Sequence, residues 1–148
     1  MAEFTVRPAT REDFPAIRSL IHTVQINPIG LDWWRFLVAA TPQGKLLGCG
    51  QIKPHADGSR EMASIAVQEQ ARGQGVARAV IEALLALEPE RPLYIMCRVR
   101  LKLLYVKFGF HAIGHEEMSP YFRRISRAER IFNSKAQPDN RLLVMCLD

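Results

Sequence analysis

Residues 72–78 read Arg-Gly-Gln-Gly-Val-Ala-Arg, and they stand between an apolar run and an amphipathic one. Gly73 and Gly75 lack a Cβ, so backbone N–H groups there can come close to a ligand. Directly after them Val76, Val80, Ala83, Leu84 and Leu87 recur at helical spacing, which predicts a helix with one apolar face that begins near Gly75 and is entered at Ala77. The first turn of a helix carries unpaired N–H donors and the positive end of the dipole. A glycine-bearing loop that feeds such a turn suits an anion, most often phosphate. The spacing excludes two common phosphate loops. No Gly-Lys-Ser/Thr follows, and position 78 is Arg78 where a dinucleotide fingerprint has its third glycine. A plain strand–turn–helix connection, with glycines for geometry alone, is the other reading of these residues.

The elements around the loop follow from pattern. Phe4–Arg7 alternates as a strand ended by Pro8. Thr10 and Asp13 have capping-box spacing, and Phe14, Ile17, Leu20, Ile21 and Val24 make the stripe of a first helix. Residues 26–32, with Asn27-Pro28 and Gly30, are a loop. The tryptophans Trp33 and Trp34 follow, and at least one is expected to pack on the sheet. Arg35–Ala40 and Leu46–Lys53 form a hairpin across the turn Thr41–Gly44. After a second turn, His55–Gly58, the strand Arg60–Val67 delivers the chain to the loop. Glu88–Pro92 breaks the helix. Leu93–Cys97 is a buried strand expected to run parallel to the previous one, because a helix crosses between them. A basic helix over Arg98–Phe108 carries Leu101, Leu104, Tyr105 and Phe108 on one side, and Gly109 ends it. Phe110–Met118 and Leu142–Leu147 read as the last two strands. Ser119–Asn140 between them is long and basic, so it is a helical insert or a lid, with Ile125, Ala128, Ile131 and Phe132 at rough helical spacing.

Arg72-x-x-Gly75-x-Ala77 closely resembles the acyl-CoA loop of the GNAT N-acetyltransferases, and Tyr105-Val-Lys-Phe-Gly-Phe110 resembles that family's second signature. The opening Val6–Ile17 is similar as well, and the resemblance runs from Phe4 to Leu147. It implies an α/β (α+β) GNAT acyl-CoA N-acyltransferase fold: a mixed, mostly antiparallel sheet, splayed between the strands ending near Val67 and Cys97, with helices on both faces. It implies one domain over residues 1–148 and acetyl-CoA as co-substrate, held by Ile65, Ala66, Val67, Arg72, Gly73, Gln74, Gly75, Val76, Ala77 and Arg78. The N–H groups of Ile65–Val67 would bond the pantetheine and polarise the thioester carbonyl. By the same resemblance Tyr105 protonates the departing thiolate; a tyrosine is protonated at neutral pH and suits an acid role. Glu61, six residues before Val67, would take the proton from the acceptor amine, which then attacks directly with no acyl-enzyme. A core tyrosine, and a strand glutamate paired with Arg60 or Lys53, are the alternatives. The family often has asparagine where this chain has Arg98 and a small residue where it has Leu101; Arg98 would then meet a phosphate or a substrate carboxylate.

The resemblance implies a primary amine as acceptor, on a small molecule or an amino acid. Leu93–Cys97, Gly109-Phe110 and Asn133-Ser134-Lys135 are faintly similar to the acetyltransferase domain of N-acetylglutamate synthases, which would bring Arg35, Arg98 or Arg124 to the acceptor's carboxylates. A peptide N-terminus or lysine is the alternative substrate, and a CoA-binding sensor without efficient catalysis the alternative function.

The chain's 148 residues, 48% hydrophobic and 24% charged, are those of an ordinary globule. The net charge of +5 suits an anionic cofactor, and no nucleic-acid module accompanies it. No apolar run reaches the length of a membrane span, no secretory leader pattern opens the chain, and a cytoplasmic protein, as monomer or homodimer, is expected. Cys49, Cys97 and Cys146 lie apart in apolar runs without C-x-x-C spacing and read as buried, inert thiols. His22, His55, His111 and His115 are dispersed, so no metal is expected.

Overall fold

The computed structural model describes residues 3–135 and 137–148. Backbone hydrogen bonds join seven strands in the order β1-β2-β3-β4-β5-β7-β6: β1 Thr5–Pro8, β2 Phe36–Ala40, β3 Leu46–Pro54, β4 Arg60–Val67, β5 Leu93–Arg98, β6 His111–Ala112 and β7 Leu142–Leu147. The helices are α1 Phe14–Thr23, α2 Val76–Leu87, α3 Lys102–Val106 and α4 Pro120–Phe132. The sheet is mostly antiparallel; β4 meets β5 in parallel at Glu61 opposite Tyr94, as a helical crossover demands. The chain divides into two compact units, one of residues up to Lys53 with Met62–Pro89, the other of Pro54–Glu61 with Glu90–Asp148.

In the first unit, Arg7 and the Thr10 N–H both bond Asp13, which closes the capping box at the entry to α1. Ile17, Leu20 and Ile21 of α1 are buried against Phe36, Val38, Cys49 and Ala66. On the other face α2 lies so close to β3 that a Cβ on Gly50 would stand 2.6 Å from Ile65 Cδ1 and 2.9 Å from Leu84 Cδ1. The buried face of α2 is Val76, Val80, Ile81 and Leu84. Ile81 belongs to the stripe, and Leu87, assigned to it from spacing, is 64% exposed because the helix ends there. Pro8 is inside β1, opposite Leu37, which an edge strand tolerates. Between α1 and β2 only a 3₁₀ turn, Trp33–Arg35, is helical, so Arg35 precedes β2 instead of opening it. Trp34 is 63% exposed, and half-buried Trp33 meets it edge-on with ring centroids 5.8 Å apart.

The second unit is built on β5, with Leu93–Arg98 in antiparallel register with Leu142–Leu147. Phe122 of α4 is buried with Tyr94, Ile113, Met118, Val144 and Cys146. Here three expectations change. The basic helix is shorter: Val99–Leu101 is a 3₁₀ turn before α3, and only Tyr105 of α3 is buried. The strand expected over Phe110–Met118 pairs only at His111–Ala112, and His115–Glu117 is a 3₁₀ turn capped by Glu117 at Gly114. The long connection is a helical insert, yet the face it buries is centred on Phe122, and Ala128, Ile131 and Phe132 of the spacing pattern are exposed.

Candidate active site

In the first unit, β4 ends in a 3₁₀ turn, Glu69–Ala71, with Arg72 at its end. Gly73 and Gly75 have φ of +77° and +81°, values that favour glycine, and a Cβ at either would meet no atom within 4 Å. The glycines are thus required by backbone conformation, and the space above them is open. Ala79 N–H takes the Gly75 carbonyl, so the N–H groups of Val76, Ala77 and Arg78 precede the helical ladder. Arg72 is exposed, and among the described residues its guanidinium has no ion pair or hydrogen bond. Arg78 pairs with Glu82 at 2.9 Å, and Gln74 Nε2 donates to the Gln70 carbonyl. Val76 is buried. The open groove of about 500 Å³ beside α1, lined by Phe14, Arg18, His22, Pro28 and Leu31 among others, contains none of these loop residues.

Upstream of the loop, β4 is irregular. Ser64 has φ of +60°, rare for a residue with a Cβ. Gln51, fully buried, donates from Nε2 to Ser64 Oγ at 2.9 Å and to the Gly30 carbonyl at 3.1 Å. Past this residue the alternation of faces holds: Ile65 reaches the α2 side beside Gly50, and Ala66 joins the α1 core. Neither the kink nor the role of Gln51 is signalled by the sequence, which alternates there as an ordinary strand.

In the second unit, Glu61 is one of two buried polar or charged residues of the described chain. Its partner is neither Arg60 nor Lys53. His55 Nε2 lies 2.8 Å from Glu61 Oε1, with side-chain exposures of 8% and 10%. Arg60 pairs with Glu90, and Lys53 donates to the Ile29 carbonyl. The His55 ring stacks on Tyr121, with centroids 3.6 Å apart and planes 14° from parallel, and Phe122 meets it edge-on. Asp57 of the same turn accepts the Tyr121 N–H at 2.9 Å. Burial opposes the charge on Asp57, but hydrogen bonds from the Ser59 hydroxyl and the Tyr121 and Ser59 N–H groups outweigh it and hold its carboxyl well below the ordinary range. His55, which the sequence showed only as a turn residue, is therefore the partner of Glu61.

Tyr105 sits elsewhere in this unit. It contacts Phe110 edge-on and lies near Cys97, whose Sγ is 3.8 Å from Met145 Sδ. Strand alternation puts Cys97 on the face opposite Tyr94, so Glu61 with His55 and Tyr105 with Phe110 occupy opposite faces of the strands of this unit. Burial, then Cys97, raises the Tyr105 hydroxyl far above its ordinary value. It keeps its proton and is a stronger candidate for hydrogen-bond donation than for outright acid transfer. Arg98 donates to the Asn140 carbonyl at 3.1 Å and lies 3.9 Å from Glu129, and Arg35 is held by Asp32 at 2.8 Å. Both guanidiniums already have partners.

All three cysteines are buried. Burial pushes the Cys49 thiol up to about 12 and the Cys97 thiol to about 11, which removes them as nucleophiles. β6–β7 pairing brings His111 opposite Cys146; with Asp148 they place three ligand-type atoms within 4.8 Å of one another, a grouping that spacing along the chain did not show. It coincides with an exposed His111–Asp148 ion pair of 2.9 Å. Among the described residues, no helix is long and apolar enough to cross a membrane.

Residues 32–112, over half of the chain, match the sequence model of the acetyltransferase (GNAT) domain. The chain belongs to the GNAT family. Solved structures agree on the GNAT fold. N-acetylglutamate synthase from Neisseria gonorrhoeae, in complex with coenzyme A and N-acetyl-glutamate, is 19% identical with a TM-score of 0.76; the match covers 99% of this chain and 35% of that one. This GNAT chain thus spans about a third of the synthase. A Mycobacterium tuberculosis protein solved with CoA is 24% identical over 97% of this chain and 98% of its own, with a TM-score of 0.73. A GNAT-family acetyltransferase from Staphylococcus aureus is 11% identical over 99% and 100%, with a TM-score of 0.71. No curated protein sequence matches the chain significantly.

Proposed function

We propose that the whole chain acts as one N-acetyltransferase domain that moves acetyl from acetyl-CoA to the primary amine of a small molecule, with amino acids the favoured class. The observation that carries the reading is the loop Arg72–Gly75. Two positive-φ glycines and an exposed arginine open onto the unladdered N–H groups of α2, inside the segment that matches the family. The pyrophosphate of CoA supplies the anion that this arrangement suits, and the N–H groups of Ile65–Val67 would receive the pantetheine. Glu61 takes one proton from the acceptor ammonium. The freed amine attacks the thioester carbonyl carbon, the C–N bond forms, the C–S bond breaks, the nitrogen gives up its second proton to solvent, and the thiolate takes one up from the side of Tyr105 or from solvent, so that one proton is released overall. Holding the two reactants together contributes much of the rate. The preference for an amino acid rests on the likeness to a synthase solved with N-acetyl-glutamate.

The test is thiol release from acetyl-CoA with a panel of amines and amino acids, beside calorimetry of acetyl-CoA binding. Glu61→Gln is expected to lower kcat/KM by roughly 10²-fold near neutrality, with partial recovery as pH rises and the free amine becomes abundant. Tight acetyl-CoA binding with no turnover of any amine would replace this reading with that of a CoA sensor. An unchanged pH profile in Glu61→Gln would leave the base elsewhere.

A further inference from the structure

We propose that His55 is a positioning residue for the carboxylate base: its Nε2–H donates to Glu61 Oε1, fixes the carboxylate, and directs Oε2 toward the acceptor ammonium. The inference rests on the reading of Glu61 as base. A short contact between a histidine nitrogen and a carboxylate oxygen, 2.8 Å here, requires a proton between them. If Nε2 carries it, Glu61 is ionised and able to accept the substrate's proton. If Glu61 carries it, the carboxyl is already protonated and is no base. The function therefore demands the Nε2–H form of His55 at neutral pH, and the surroundings hold the ring in the orientation this needs.

The hold comes from three directions. The backbone of His55 is fixed by its hairpin turn, where its N–H takes the Ser59 carbonyl at 2.9 Å and its own carbonyl accepts the Gly58 N–H. Tyr121 covers one ring face in a stack, and Phe122 packs edge-on. Asp57, two residues along, binds the Tyr121 N–H and so ties the start of α4, which supplies both aromatic rings, to the turn that supplies His55. A histidine kept only for packing would not need its nitrogen on the carboxylate. A glutamate kept only for folding would not need to be buried beside a strand junction, opposite Tyr94. Tyr121, whose ring covers His55, lies within electrostatic reach of Glu61, Arg124 and Asp57, and Tyr94 stands in register with Glu61 across β4 and β5.

The test compares two replacements. His55→Phe keeps a flat ring against Tyr121 and loses the donor; His55→Gln places an amide N–H near the position of Nε2 and cannot titrate. With an acceptor that the wild type turns over, His55→Phe is expected to lose about tenfold or more in kcat with acetyl-CoA affinity unchanged. His55→Gln is expected to keep most of the plateau rate, because an amide N–H still meets the carboxylate. Adding His55→Phe to Glu61→Gln should cost little more than Glu61→Gln alone, because the histidine acts through the carboxylate. A slow Glu61→Gln beside a His55→Phe with wild-type rate and pH profile overturns this inference and leaves the base intact; a wild-type Glu61→Gln overturns the base itself. Independent of whether any variant folds, ¹⁵N resonances of the wild-type imidazoles report the tautomer. Finding Nε2 of His55 unprotonated at pH 7 refutes the arrangement.

Discussion

Replacement of Gly75 separates backbone cost from ligand cost. Gly75 has φ 81° and ψ 12°, and a side chain there meets no atom within 4 Å. Gly75→Ala therefore adds no clash, and its whole effect on stability is the left-handed backbone, about 1–2 kcal/mol. For a chain of this size that lowers Tm by about 2–8 °C. Gly44, in the turn before β3, has φ +88° and equally open surroundings, so Gly44→Ala is the matched control and should cost the same. Gly75→Glu carries that backbone cost and adds a negative charge at the mouth of the α2 N-terminus. A unit charge roughly 7–8 Å from a phosphate charge, at an effective dielectric constant of about 20, is repelled by about 2 kcal/mol, a loss of affinity of about 30-fold. Thermal unfolding and calorimetry with acetyl-CoA, run on all three variants, read both quantities. Equal stability losses with acetyl-CoA binding weakened only at position 75 are expected. A folded Gly75→Glu that binds acetyl-CoA as the wild type does would refute the assignment of this loop, and a Gly75→Ala far less stable than Gly44→Ala would refute the claim that the site is open.

Three further outcomes are expected. Tyr105→Phe should fold and bind acetyl-CoA normally but slow single-turnover acetyl transfer by about tenfold or more; transfer at the wild-type rate would make Tyr105 a core residue only. Gly50→Val should destabilise by about 1–3 kcal/mol in denaturant titration through overpacking against Ile65, Leu84 and Val80; a neutral result would mean that α2 lies further from β3 than described. Asp57 has a carboxyl held below its ordinary value, so its contribution is complete above its unfolded pKa, near 4, and is lost as pH falls through the lower folded value. Asp57→Ala should accordingly show less loss of stability than the wild type on acidification below about pH 4, with faster amide exchange in the first turn of α4, and identical acid titrations would contradict the tie between Asp57 and Tyr121.

The features that residue type and spacing settled are local ones. The capping box at Asp13, the bounds of β4, the start of α2 after Gly75 and the turn at Gly58 follow from residue type and spacing within a few positions. The family was legible for the same reason, since its two signatures are short runs in chain order. Where the reading failed, the deciding partner lay far along the chain. The two-residue pairing of β6 depends on β7, and the exposure of Ile131 and Phe132 depends on where α4 meets Tyr94 and Val144. Glu61 is a candidate on its position in the strand alone, but its environment comes from segments distant in the chain. A hairpin folds His55 back onto Glu61, and an insert from another part of the chain lays Tyr121 over the imidazole. Likewise the positive φ of Ser64 is sustained by a buried Gln51 from the neighbouring segment, and no pattern of alternation records it. Backbone conformation and amphipathic periodicity are properties of a few adjacent residues. Which carboxylate is buried, against which nitrogen, is decided by contacts between segments that the order of residues leaves open.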